Sequence, residues 1–222
     1  MALAIFDLDH TLLSADSDHS WGQFLVDLGL VDPDTYQQRN DYFYEQYKRG
    51  ELEIYEYLEF AMKPLTEHPL AVLLETRTRF LKEIIEPLIS DASRELIQSH
   101  KDKGDTLLII TATNGFVTYP IAEQLNIEHI IAPHPEVIDG SYTGKIVGTP
   151  SYKHGKVERL NDWLKEHQHS LEGSYFYSDS HNDLPLLREV DYPVAVDPDD
   201  TLRAIAEEQG WPIISLACTG LR

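Results

Sequence analysis

The chain of 222 residues contains one cysteine, Cys218, so it can form no internal disulfide and has no cysteine pair for structural zinc. Basic residues are scarce. Eighteen lysines and arginines stand against 38 aspartates and glutamates, a formal net charge of -20. That balance argues against a nucleic-acid backbone or an anionic membrane as partner. It does not exclude an anionic small molecule, because a bound metal and a few cations can invert the field of one site. No apolar run approaches the length of a bilayer span, and Asp7 arrives too early for the apolar stretch of a secretory signal. A soluble, cytoplasmic protein is expected. Internal repeats and low-complexity stretches are missing too, and the length suits one core domain with a smaller companion.

What is present begins with a short apolar run, Ala2 to Phe6, followed at once by Asp7-Leu8-Asp9-His10-Thr11. The run reads as a buried strand of a parallel sheet. Alternation along such a strand would send Asp7, Asp9 and Thr11 to one face where the strand ends. Two carboxylates brought together require a cation, which makes them candidates for a divalent-metal and nucleophile site.

Residues from about Ala15 to Glu86 change character. Leu52, Tyr55, Leu58 and Met62 recur at helical spacing with few glycines, and the spacing predicts a small helical module rich in tyrosine and phenylalanine. Ser90 or Asp91 can cap a helix running to Lys103, which Gly104 ends before a strand at Leu107 to Ile110. A helix around Phe116 to Leu125 and a strand at His129 to Ala132 follow, and Asp139-Gly140 marks a hairpin between Glu136 to Ile138 and Ser141 to Val147. Then come a helix over Gly155 to His167, a strand at Ser174 to Ser178, a helix at Leu184 to Val190, a strand at Val194 to Val196 and a helix at Leu202 to Gln209. Alternation of this kind implies an α/β fold with a doubly wound, mainly parallel sheet.

Further polar clusters fall where these strands end or helices begin, the place where open α/β sheets bind ligands. Thr111 and Asn114 follow Leu107 to Ile110, Lys156 lies in the first turn of its helix, and Asp179 and Asp183 follow Ser174 to Ser178. With these residues the chain resembles the haloacid dehalogenase superfamily, whose four motifs match Asp7-x-Asp9-x-Thr11, Thr111, Lys156 and Asp179-x-x-x-Asp183 in order. The resemblance spans nearly the whole chain. Its layout is similar to the phosphoserine phosphatase-like branch. The stretches Phe-Asp-Leu-Asp-His-Thr-Leu-Leu and Tyr-Ser-Asp-Ser-His-Asn-Asp-Leu-Pro-Leu-Leu look like a bacterial group that includes histidinol-phosphate phosphatases.

The resemblance implies a Rossmann-like core at 1–14 and 88–222 with an α-helical C1 cap inserted at 15–87. It implies a Mg²⁺-dependent phosphatase acting on a small phosphorylated metabolite. Asp7 would be the nucleophile that becomes an aspartyl-phosphate, and Asp9 the acid and then the base. Thr111 and Lys156 would bind and stabilise charge on the phosphoryl group. Asp7, Asp179 and the backbone carbonyl of Asp9 would hold Mg²⁺, with Asp183 supporting a metal-bound water or Lys156. Asp16, at the spacing where phosphoserine phosphatases meet the substrate's amino group, is the candidate for that contact, with Asp18 the alternative. Asn114 and Asn182 are further candidates for substrate binding.

Plainer readings stand beside these. Lys153 competes with Lys156, Asp183 could cap the helix after it, and Asp16 or Asp18 could cap the helix near Trp21. Asn114 could be a turn residue, and the aromatic cluster could pack a small bundle without any ligand. Histidinol phosphate, with an ammonium and an imidazole but no carboxylate, suits an acidic, aromatic cap better than phosphoserine does. A phosphotransferase or mutase is the rival among enzymes, and a non-catalytic binding module the rival outside them.

Overall fold

In the computed structural model, residues 2–217 are described, and Cys218 lies outside them. The strand β1 (Leu3–Phe6) leads into four helices, α1 (Ser17–Asp27), α2 (Pro33–Arg49), α3 (Ile54–Glu67) and α4 (Leu70–Phe80). A wide turn at Leu81–Ile85 carries α4 into the single turn α5 (Glu86–Leu88). Next come α6 (Asp91–Lys103), β2 (Thr106–Ile110), α7 (Gly115–Gln124), β3 (His129–Ile131) and the hairpin β4 (His134–Ile138) and β5 (Ser141–Val147). The chain closes with α8 (His154–His167), β6 (Tyr175–Ser178), α9 (Leu184–Leu187), β7 (Tyr192–Val196), α10 (Asp200–Gln209) and β8 (Ile213–Ile214).

Six strands form one parallel sheet in the order β3-β2-β1-β6-β7-β8. The chain winds outward from β1 to β3, returns to β6 beside β1, and winds the other way. The reversal opens a crevice between β1 and β6 at their carboxyl ends, where such sheets bind ligands. Side-chain alternation divides the core. Ala4, Phe6, Leu107 and Ile109 pack on one face, and Leu3, Ile5, Leu108 and Ile110 on the other.

Three of the four inserted helices pack into the core of the sheet. Trp21 and Phe24 of α1, Leu58 and Met62 of α3, and Leu73 and Phe80 of α4 join the same cluster as Ala4, Phe6 and Ile109. Burying a side chain of this size contributes roughly 1.5–3 kcal/mol, so the insertion is bound to the sheet by several large side chains. It leaves and returns at one point, where the Ser14 amide donates to the Leu88 carbonyl at 3.0 Å. The outlier is α2: its buried Phe43 clusters instead with Leu52, Phe60 and Tyr152.

Expected elements appear with shifted ends. The helix expected through Val190 stops at Leu187, because the chain must turn back to β7, whose start is tied to β6 by the Gly173 amide donating to Asp191 Oδ2 at 2.6 Å. Two-residue β8 is too short to leave a periodic signal and exists by pairing with β7. At the hairpin, Asp139 and Gly140 both take left-handed conformations, with φ of 52° and 78°, as a tight two-residue turn requires. Pro120 sits inside α7 and cannot donate to the Phe116 carbonyl one turn back. Arg77 of α4 takes that carbonyl, with Nη1 donating at 2.8 Å and the guanidinium 4.6 Å above the Phe116 ring.

Candidate active site

Strand alternation does not carry the first motif as far as Thr11. The strand β1 ends at Phe6, and residues Leu8–Leu12 form a wide turn closed by the Leu13 amide on the Leu8 carbonyl at 2.9 Å. Asp9 stays extended (φ -71°, ψ 136°), whereas His10 turns left-handed (φ 54°). That conformation costs a non-glycine residue roughly 1–2 kcal/mol. It is braced by His10 Nε2 against the Tyr44 hydroxyl at 3.0 Å. Asp7 and Asp9 are separated by this geometry and meet different partners.

Asp7 is buried beside the switch point, its amide still donating to the Tyr177 carbonyl of β6 at 2.9 Å. Lys156, in the first turn of α8 and 1 % exposed, donates through Nζ to Asp7 Oδ1 at 2.8 Å and to Asp183 Oδ2 at 2.7 Å. Ser178 adds its hydroxyl to Asp183 Oδ2 at 2.8 Å. Asp183 therefore does not cap the helix that follows, and Ser180 receives the Asn182 amide instead. Lys153 lies elsewhere: its Nζ donates to the Gly50 carbonyl at the end of α2, at 2.6 Å. Thr11 ties the β1 turn to the end of β6. Its hydroxyl donates to Asp179 Oδ1 and accepts from the Asp179 amide, both at 3.1 Å.

Asp9 faces the inserted helices. Oδ1 accepts from the Ser17 amide at the start of α1 at 2.7 Å, and Oδ2 accepts from the Thr113 hydroxyl at 2.8 Å. Asp16 caps α1, taking the Asp18 and His19 amides on Oδ1 at 2.9 and 2.7 Å, and still lines the cavity. Asp18 is buried away from that cavity, with Oδ1 receiving Asn114 Nδ2 at 3.3 Å. Asn114 spends its other atom capping α7. Asn182 joins core to insertion, donating to the Tyr47 carbonyl at 2.9 Å and accepting from the Tyr152 hydroxyl at 3.2 Å. Thr111 lines the cavity and accepts from the Thr113 amide at 3.1 Å, so its hydroxyl hydrogen is left to donate.

Burial governs the electrostatics. It pushes Asp7 up to about 7 even though Lys156 pulls it down, and Asp183 and Asp9 add to the rise. Asp9 rises to about 6, through burial and then the charge of Asp16. Asp179 is pushed well above the usual carboxylate range by burial and by Asp7 and Asp183. Burial lowers Lys156, but the two carboxylates outweigh it and the ammonium is held more firmly than usual. Asp7 and Asp183 share one lysine and Asp179 pairs with none among the described residues, so the cluster favours a bound proton or an added cation. Among the described residues no three acidic, histidine or cysteine side chains are close enough to hold a metal unaided. Two carboxylates and a backbone carbonyl, completed by water, would make a sparser, all-oxygen set of the kind that suits Mg²⁺.

Above the carboxylates a narrow cavity of about 40 Å³ opens. Asp7, Asp9, Thr111 and Thr113 form its floor, and Asn40, Phe43, Tyr44, Tyr47 and Tyr57 its walls. The tyrosines thus both pack and line. The partners of Thr113, Ser178 and the Thr11 hydroxyl are not visible in the sequence; the signal for Thr113 is that Thr111 and Thr113 stand at alternate positions after a strand, as Asp7 and Asp9 do.

Comparison with known proteins agrees with this geometry. The sequence profile of the haloacid dehalogenase-like hydrolases matches residues 4–188. A histidinol-phosphatase of Neisseria meningitidis serogroup C is 46 % identical over 96 % of this chain and 98 % of its own. A phosphoserine phosphatase of Mycobacterium tuberculosis is 31 % identical over 96 % of this chain and 70 % of its own. Among solved structures, a Bordetella pertussis protein described as of unknown function superposes with a TM-score of 0.91 at 44 % identity, covering 97 % of this chain and 98 % of that one. A phosphoserine phosphatase trapped as an analogue of its phospho-aspartyl intermediate shares the fold, with a TM-score of 0.71 at 18 % identity, covering 98 % of this chain and 94 % of that one. With the profile spanning most of the sequence and the motifs gathered at the sheet's switch point, the chain belongs to the haloacid dehalogenase-like hydrolases and is a phosphatase of that family.

Proposed function

We propose that this protein hydrolyses histidinol phosphate in the cytoplasm, with residues 15–87 acting as the cap over a core formed by 1–14 and 88–222. The observation that carries the choice of substrate is the lining of the cavity. It holds Asp9, Asp16, aromatic rings and His19, whose Nε2 is engaged by Asp41 at 2.8 Å, and among the described residues no arginine or lysine. Phosphoserine would need a cation for its α-carboxylate. The arginines of the insertion are committed elsewhere: Arg39 lies over Phe43 and Phe60, Arg77 on the Phe116 carbonyl, Arg79 against Glu83, and Arg49 is exposed. An ammonium and an imidazole meet carboxylates and ring faces instead. The relative named histidinol-phosphatase supports the same choice.

Asp7 Oδ1 rests on Lys156, and among the described residues Oδ2 receives no hydrogen bond, so Oδ2 is the atom that attacks phosphorus. The P–O bond to the alcohol breaks as Asp9 gives the leaving oxygen a proton. Its elevated pKa of about 6 lets it carry that proton near neutrality, and the Ser17 amide and Thr113 hydroxyl hold it in place. Water then attacks the aspartyl-phosphate and passes its proton to Asp9, which frees phosphate and Asp7. The Thr111 hydroxyl donates to a phosphoryl oxygen throughout. Asp7, Asp179 and the Asp9 carbonyl would hold Mg²⁺, which phosphatases of this family generally use and which supplies positive charge to the phosphoryl group.

The test is kcat/KM for histidinol phosphate and phosphoserine, measured side by side with Mg²⁺. Histidinol phosphate is expected to be preferred by at least about a hundredfold, the penalty for burying an unpaired carboxylate. No turnover of histidinol phosphate sinks the proposal.

A further inference from the structure

Where α1 and α2 cross, a Cβ added to Gly22 would stand 2.7 Å from the side-chain amide of Asn40. Only a glycine at 22 leaves Asn40 its place. Asn40 is 6 % exposed and lines the cavity beside Asp16, Phe43 and Tyr44. One bond fixes its orientation: Nδ2 donates to the His19 carbonyl at 2.9 Å. A carbonyl can only accept, so the nitrogen must lie on that side and Oδ1 on the other. Among the described residues Oδ1 receives no hydrogen bond, and it is not sealed off as a buried orphan atom. It is a fixed, neutral acceptor on the wall of a cavity whose charged lining is acidic.

We infer that Asn40 is a specificity-determining residue, its Oδ1 accepting a hydrogen bond from an N–H of the substrate's unphosphorylated end, so that the site selects phosphomonoesters of amino alcohols. The inference rests on the phosphatase reading and names the part of the substrate that the α2 wall recognises. An acceptor so placed rewards an ammonium or imidazole N–H and has nothing to offer a carboxylate or a bare hydrocarbon. Gly22 is its positioning residue, acting only through the room it leaves.

Two variants separate recognition from packing. Asn40→Leu and Asn40→Asp both lose the bond to His19, but only the leucine loses the acceptor. The readout is the ratio of kcat/KM for histidinol phosphate to that for propyl phosphate, which has no N–H donor. In Asn40→Leu the ratio is expected to fall about ten- to a hundredfold, whereas in Asn40→Asp it stays within about threefold of wild type. Gly22→Ala displaces the amide and should follow the leucine variant, and it decides the matter alone if Asn40→Leu does not fold. An equal fall in both Asn40 variants assigns the residue to helix packing and overturns the inference, as does an unchanged ratio in Asn40→Leu. If wild-type protein leaves histidinol phosphate intact, the choice of substrate fails by itself, and the same ratio taken with phosphoethanolamine decides the role of Asn40.

Discussion

On the floor of the cavity one Lys156 ammonium joins Asp7 and Asp183 at 2.8 and 2.7 Å, and Ser178 and Thr11 brace their neighbours. On its wall Tyr44 is held by a stacked His19 ring 4.7 Å away, by His10 on its hydroxyl and by Lys48 over its face at 4.8 Å. The floor is a charge network at the ends of two central strands. The wall is a set of ring contacts on a helix outside the main core. Buried charge tolerates little change of geometry, whereas ring contacts can be re-formed with other partners. The same cavity thus has a part fitted to one reaction and a part that can be refitted to another substrate.

Striking the floor should give the largest effect. Asp7→Asn keeps the shape and removes the nucleophile, and turnover should fall by at least about four orders of magnitude in a phosphate-release assay while the melting temperature holds. Substantial hydrolysis would argue against an aspartyl-phosphate. Lys156→Met strands two buried carboxylates and should cost about 3–5 kcal/mol of stability by urea denaturation.

Acidity sharpens the contrast further. Asp7 and Asp9, raised to about 7 and about 6 in the fold from an ordinary 3.8, bind protons more tightly when folded. Their contribution to stability is greatest below 3.8 and is lost as pH rises towards about 7. Mg²⁺ competes with those protons, so the rise in melting temperature that it produces should be larger at about pH 7.5 than at about pH 5. An equal rise at both would place the cation away from these carboxylates. The smallest effect belongs to the wall: Tyr44→Ala should raise KM for histidinol phosphate about three- to tenfold and leave kcat within about threefold. A fall in kcat alone would show that Tyr44 serves the chemistry on the floor.

The same contrast decides what could be read from sequence. Asp7, Lys156, Asp179 and Asp183 stand out in the sequence because they fall where apolar strands end or a helix begins, in the order of the motifs that the chain resembles. Thr113, whose hydroxyl reaches Asp9 across 104 positions, and Ser178 do not, because a hydroxyl carries no mark of its partner. The tyrosines were ambiguous for another reason. Helical spacing is identical for Phe60, which faces the packed cluster, and Tyr44, which faces the cavity. Asn40 carries no mark in the sequence, because only the fold brings Gly22 beneath it. The turn at Leu8–Leu12 shows the opposite error, a pattern extended past the end of its strand.

Among the described residues, α2 is the one helix of the insertion that adds no side chain to the large core shared with the sheet. It is capped by Asp32 and ends at Gly50, left-handed at φ 69°, and its contacts with the core include bonds from Lys153 to Gly50, from Asn182 to Tyr47 and from His10 to Tyr44. Lifting α2 would cost those bonds and expose Phe43 of the smaller cluster, whereas lifting α1, α3 or α4 would open the large core itself. Asn40, Phe43, Tyr44 and Tyr47, which line the cavity, therefore ride on the one inserted helix whose packing is independent of the large core.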